Sequence, residues 1–98
     1  MQLEFADKRL ARLEADLRYD AGLSAPVARS FRKVVNLIRN VLDERELYQF
    51  KSLRFEKLKG NRAHQRSLRL NDQFRLIVEV VESRPKNVLR IVSVEDYH

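Results

Sequence analysis

The chain has 98 residues, enough for one core that buries roughly 65% of the unfolded surface and too few for a second module. Its hydrophobic share of 44% and charged share of 35% exclude a disordered tail, and the absence of cysteine excludes disulfides, thiolate catalysis and thiolate-bound zinc. The net charge of +6 points to polyanionic partners, nucleic acid foremost.

Residues 2 to 5, QLEF, alternate as a short strand does, and Asp7 is placed to cap a helix carrying Leu10, Leu13 and Leu17 until Gly22 stops it. Ser24, with Pro26 in the first turn, announces a second helix. Its apolar set Val27, Phe31, Val34, Val35, Ile38, Val41 and Leu42 follows the 3.6 period for about five turns. The opposite face, with Arg29, Arg32, Lys33, Asn36 and Arg39, reads as solvated helix surface. Residues 43 to 50 break the pattern and form a linker with one extra turn, from which Leu47, Tyr48 and Phe50 tuck under a sheet.

Four strands then follow, at about 53 to 58, 65 to 70, 73 to 82 and 88 to 94. Their connections are too short for a parallel crossover, so they form an antiparallel meander. The pair Asn71-Asp72 suits the left-handed positions of a tight hairpin. FRLIVEVV is apolar on both parities and belongs in the centre of the sheet. The fold class is α+β: an N-terminal strand and two helices packed on an antiparallel sheet that ends in the strand meander, as a single domain over residues 1 to 98.

Charge is unevenly divided. Residues 1 to 50 carry 9 basic and 8 acidic groups, and residues 51 to 98 carry 11 and 6. The excess gathers between Lys51 and Arg69, where seven Lys or Arg face the single acid Glu56. Leu68 and Leu70 alternate with Ser67 and Arg69, so a strand here buries one row and holds cations out on the other. Asp96, Tyr97 and His98 end the chain with three groups able to exchange protons. With His64 and His98 the only imidazoles, a histidine-rich metal site is not expected. No run approaches the roughly 18 apolar residues of a bilayer span and MQLEFADKR lacks a leader pattern, so the expectation is a cytoplasmic protein with no membrane partner.

The wording of EKLKGNRAHQ, SLRLNDQFRL and the terminal VEDYH, in that order, resembles the HigB branch of the RelE/ParE superfamily of bacterial toxins, and the order of elements resembles it over essentially the whole chain. The resemblance implies the toxin of a type II toxin–antitoxin pair. It implies a metal-independent endoribonuclease, without cofactor, that cuts mRNA on the ribosome. It also implies a cognate HigA-like helix-turn-helix antitoxin, through which alone operator DNA is touched. Family motifs place Lys59, Arg75, Tyr97 and His98 in the active site, with Asp96 as a supporting group. Such chemistry requires a base for the 2′-hydroxyl, cations for the extra phosphate charge and an acid for the leaving oxygen. Arg75 is a planar donor suited to phosphate, Lys59 a movable point charge, and an imidazole such as His98 titrates near neutrality. Base and acid are left open between Tyr97 and His98. Arg54, Lys57, Arg62, Arg66 and Arg69 form the expected RNA-binding surface.

The sequence departs from the family at three places. Arg54 stands where close members often carry His, and a guanidinium cannot transfer protons, though it can bind phosphate. Phe74 replaces a common Trp, and Arg66 a common aromatic. Two alternatives remain: a ParE-like toxin that inhibits gyrase, and a catalytically inactive basic module that binds nucleic acid.

Overall fold

A computed structural model describes residues 1–97. Strand β1 (Leu3–Phe5) leads into helix α1 (Lys8–Ala15) and helix α2 (Ala25–Asn40). Two short 3-10 turns, Glu44–Gln49 and Lys51–Leu53, lead to β2 (Glu56–Lys57). A further 3-10 turn, Gly60–Arg62, precedes β3 (Arg66–Arg69), β4 (Phe74–Val81) and β5 (Val88–Asp96).

The five strands form one sheet in the order β1-β5-β4-β3-β2. β2 to β5 are the expected antiparallel meander, and β4 is central. β1, however, joins parallel to β5, with Leu3 opposite Leu89 and Phe5 opposite Ile91. The helices carry the chain from β1 to the far edge of the sheet, and the meander then returns to place β5 beside β1.

Helix α1 begins where expected, with the Asp7 carboxylate accepting from Arg9 N at 2.8 Å, but it stops a turn short. Asp16 turns its carboxylate onto Arg18 N at 3.0 Å, offering the backbone an alternative to the helical bond. Ala21 (φ 55°) and Gly22 (φ 78°) then reverse the chain through the left-handed region. Leu17 consequently lies in solvent rather than on the buried stripe of Leu10 and Leu13. In α2 the Ser24 hydroxyl accepts from Val27 N, and Val27, Phe31, Val34, Val35 and Ile38 are buried as their period predicts. The helix ends before Val41, so Leu42 is exposed.

Arg32 is half-buried rather than solvated surface, whereas Arg39 stays exposed as expected. Arg32 crosses to α1, donating from Nε to Leu13 O at 2.8 Å and from Nη2 to Tyr19 O at 2.6 Å, so one side chain satisfies carbonyls left open at a helix end. Arg39 makes a bidentate pair with Glu14.

Register sorts the sheet into two faces. Leu68, Leu76, Val78, Leu89 and Ile91 join Phe31, Val35 and Ile38 in the core beneath the helices. Ser67, Arg69, Arg75, Ile77, Glu79, Arg90, Ser93 and Glu95 share the other face. A slip between Ile77 and Val78 leaves Val92 outside the pairing. This bulge keeps Leu89 and Ile91 on the core side while Ser93 and Glu95 stay on the open side. Of the linker aromatics expected under the sheet, Tyr48 stacks edge-on against Phe55 at 4.7 Å and both it and Phe50 keep substantial exposure; Leu47 alone of the three is fully buried.

Candidate RNA-facing cleft

Arg75 opens the central strand, and its side chain is only 12% exposed. A guanidinium so nearly enclosed needs partners that do not cancel it. Beneath it lies Ser67, fully buried at the paired strand, whose Oγ accepts from Arg75 Nη1 at 3.3 Å. Above it lies the Tyr97 ring, its centroid 3.2 Å from the guanidinium carbon. A cation over a ring in this way is attracted by the ring's negative face, and the face occupies none of the guanidinium's N–H donors. Tyr97 is fixed in turn by its backbone N–H donating to Gln73 O at 2.7 Å. The ion pair of Arg75 with Glu56 is long, at 3.9 Å.

The turn between β3 and β4 builds one wall. It is not the two-residue left-handed hairpin that Asn71-Asp72 suggests: neither residue has positive φ. Instead the Asn71 carboxamide oxygen accepts from Gln73 N at 2.9 Å and Phe74 N at 2.7 Å, an Asx turn closing a longer loop. Arg69 bends onto this loop, pairing with Asp72 and donating to Asn71 O at 3.3 Å. The opposite wall is Arg54, which follows the second 3-10 turn in the left-handed conformation (φ 46°, ψ 55°). A non-glycine residue there costs about 1–2 kcal/mol, and the result is a third guanidinium at the mouth. Arg54, Arg69, Asn71, Asp72, Arg75 and Tyr97 together line a cleft of about 240 Å³.

The remaining sequence candidates are dispersed. Lys59 is exposed and lies before the 3-10 turn at the far end of the β2–β3 hairpin, where Leu58 N bonds Gln65 O. Register puts it about five strand residues, on the order of 15 Å, from Arg75, and it does not line the cleft. Asp96 closes the sheet opposite Phe74, its carboxylate accepting from Gln73 Nε2 at 2.9 Å. Lys57 is exposed on the edge strand. Arg66 shares the core-side parity of Leu68, with its guanidinium 5.7 Å from the Phe55 ring centroid and its Nε buried without a hydrogen-bond partner among the described residues. Arg62 grips both oxygens of Glu95, at 3.1 and 3.0 Å. His98 lies outside the described residues.

Ser67, which supports Arg75, and Asn71 and Asp72, which line the cleft, are not among the candidates read from the sequence. The alternation of β3 already put Ser67 on the same row as Arg69; a small hydroxyl in a row of cations was the available signal. Charge pairing beyond the cleft is dense. Arg90 bridges Glu79 at 3.3 Å and Glu4 at 3.0 Å, and the Arg62 hydrogen bonds, aided by one from Ser93, hold the Glu95 carboxyl below its usual range against the opposing effect of burial. A wider groove of about 510 Å³ opens at the far end of α2, between Met1, Leu42 and the loop Arg84–Asn87, but it brings no aromatic against an arginine.

A parallel-edged meander under two helices is a fold the chain shares with solved small bacterial toxins. The solved YoeB/ParE toxin from Agrobacterium tumefaciens is similar in structure, with a TM-score of 0.61, 23% identity and 100% of both chains covered. So is YafQ from E. coli strain BL21(DE3), with a TM-score of 0.58 and 13% identity over 97% of this chain and 91% of that one. No match was found among curated proteins. The sequence model described as the RelE-like toxin of type II toxin–antitoxin system HigB matches residues 3–97, and the chain belongs to this HigB-like family.

Proposed function

We propose that this type II toxin is a metal-independent endoribonuclease that cuts mRNA on the ribosome and is silenced by a HigA-like helix-turn-helix antitoxin. The observation that carries the reading is Arg75, held between Ser67 and the Tyr97 ring and lining a cleft shared with two more guanidiniums. Such a fork matches the non-bridging oxygens of a phosphodiester, and the gain is greatest when attack by the 2′-hydroxyl places a further charge on them. Arg54 and Arg69 hold the neighbouring backbone. Proton removal from the 2′-hydroxyl and proton delivery to the departing 5′-oxygen fall to Tyr97 and His98, the pair that family resemblance names. Arg54 excludes itself from proton transfer and acts as a phosphate contact. Lys59 and Lys57, along the edge strand, meet RNA or ribosome beyond the cleft.

Primer extension on a reporter mRNA after induction of the wild type, Arg75→Ala and His98→Ala tests the proposal. New mRNA ends inside codons are expected for the wild type and neither variant. Growth arrest with uncut mRNA would overturn it, and arrest accompanied by DNA damage would move the chain to the gyrase-inhibiting branch.

A further inference from the structure

The sequence places Arg62 among cations that touch RNA, but its guanidinium is already committed. Both its outer nitrogens grip Glu95, and its Nε donates to Gln65 Oε1 at 2.9 Å. The identity of the carboxylate is what matters. Glu95 sits directly opposite Arg75 in the β4–β5 ladder, on the same face of the sheet. Side chains so paired stand roughly 5 Å apart at Cβ, and a glutamate and an arginine in that relation ordinarily join each other. Here they do not. Glu95 is drawn along the face by Arg62, which arrives from a turn 33 residues earlier in the sequence, and is steadied there by Ser93 Oγ at 2.9 Å. Among the described residues Arg75 keeps a neutral hydroxyl, an aromatic ring and a loose ion pair with the exposed Glu56 carboxylate at 3.9 Å.

We propose that Arg62 is a positioning residue that restrains Glu95 from closing onto Arg75, keeping the guanidinium open for a phosphate. Without Arg62, Glu95 would turn across the strand pair and occupy the Arg75 fork, and the carboxylate would compete with the incoming phosphodiester for the same N–H groups. The inference rests on the nuclease reading for its activity readout, while the contact itself can be seen without cleavage.

The experiment compares the wild type, Arg62→Ala, Glu95→Gln and the double variant. It uses cleavage of mRNA by ribosomes programmed with it, and affinity for a single-stranded RNA made uncleavable by 2′-deoxy substitution. The arginine side-chain signals in NMR are followed in parallel. Arg62→Ala is expected to weaken binding and cleavage about tenfold to a hundredfold, the scale on which a neighbouring guanidinium prefers an ionised carboxylate. Glu95→Gln is expected to stay within about threefold of wild type, and adding it to Arg62→Ala to restore most of the loss, because an amide does not compete with phosphate. The Arg75 signal shifts in Arg62→Ala and returns in the double variant.

A double variant as weak as Arg62→Ala would mean that Arg62 itself meets RNA, and an unaffected Arg62→Ala would mean that Glu95 never reaches Arg75; either result overturns the proposal. A wild type that cuts no mRNA, with the NMR pattern intact, would remove the nuclease reading and leave the restraint standing.

Discussion

Whether Tyr97 works through its ring or its hydroxyl is separable at the level of one oxygen atom. The ring covers the Arg75 guanidinium, so Tyr97→Phe keeps that contact and removes the side chain's own proton-exchanging group. If the phenol serves as base or acid, single-turnover cleavage should fall by about 10²–10⁴, while affinity for uncleavable RNA holds. A loss confined to affinity would assign Tyr97 to stacking alone. Arg75→Lys keeps the charge but cannot both lie flat on a ring and present a fork, and a loss of about 10²–10³ in rate is expected. Glu95 offers a further test, in stability. Its carboxyl is held below the ordinary value of 4.5 by Arg62, so its contribution is present above that value and disappears as pH falls through the lowered one. Urea titrations between pH 6 and pH 3 should show a smaller loss of stability for Glu95→Gln than for the wild type.

Elements were legible from the sequence where one local pattern decided the outcome. The second helix has a hydroxyl cap, a first-turn proline and an unbroken apolar stripe, and all three favour the same 16-residue helix. The central strand declared itself because Leu76, Ile77 and Val78 are buried on both parities. What escaped depended on partners far along the chain or on competition within it. β1 pairs with a strand 86 residues away, and no local pattern encodes parallel against antiparallel edge addition. Leu17 kept the helical period that Asp16 ended. Arg32 looked like solvated surface because the carbonyls it satisfies belong to another helix. That last contact is measurable: Arg32→Ala should leave the end of α1 unsatisfied at a cost of about 1–3 kcal/mol in urea unfolding, whereas Leu17→Ala, on a residue the stripe had claimed, should change stability by less than about 0.5 kcal/mol. Equal effects would mean that the α1 end is not held by Arg32. The cleft followed the same division. Family motifs point to Arg75 and Tyr97, which the fold sets against each other, but the left-handed backbone at Arg54 and the latch of Arg62 on Glu95 follow from no residue spacing.

At the scale of the molecule the question is where an excess of positive charge remains usable. The open sheet face is rich in arginine, yet Arg62 and Arg90 are matched there by Glu95, Glu79 and Glu4, and Arg66 is turned to the core side against Phe55. Of the second half's cations, Arg54, Arg75 and, in part, Arg69 gather at the cleft end, with Lys57 and Lys59 on the β2–β3 hairpin beside it, while Arg84 and Lys86 stand in the β4–β5 loop. Binding of single-stranded RNA releases counterions in proportion to the phosphates neutralised, with a slope of about −0.7 per contact in a plot of log affinity against log salt. A cation that meets a phosphate lowers that slope when removed; one that meets none does not, because no counterion release is lost with it. Arg54→Ala should thus flatten the slope by about 0.7, whereas Arg90→Ala and Arg66→Ala should leave it unchanged within error. Were Arg90→Ala to flatten it as much as Arg54→Ala, RNA would be held by the diffuse field of the whole domain, and the cleft would lose its standing as the place where the phosphate sits.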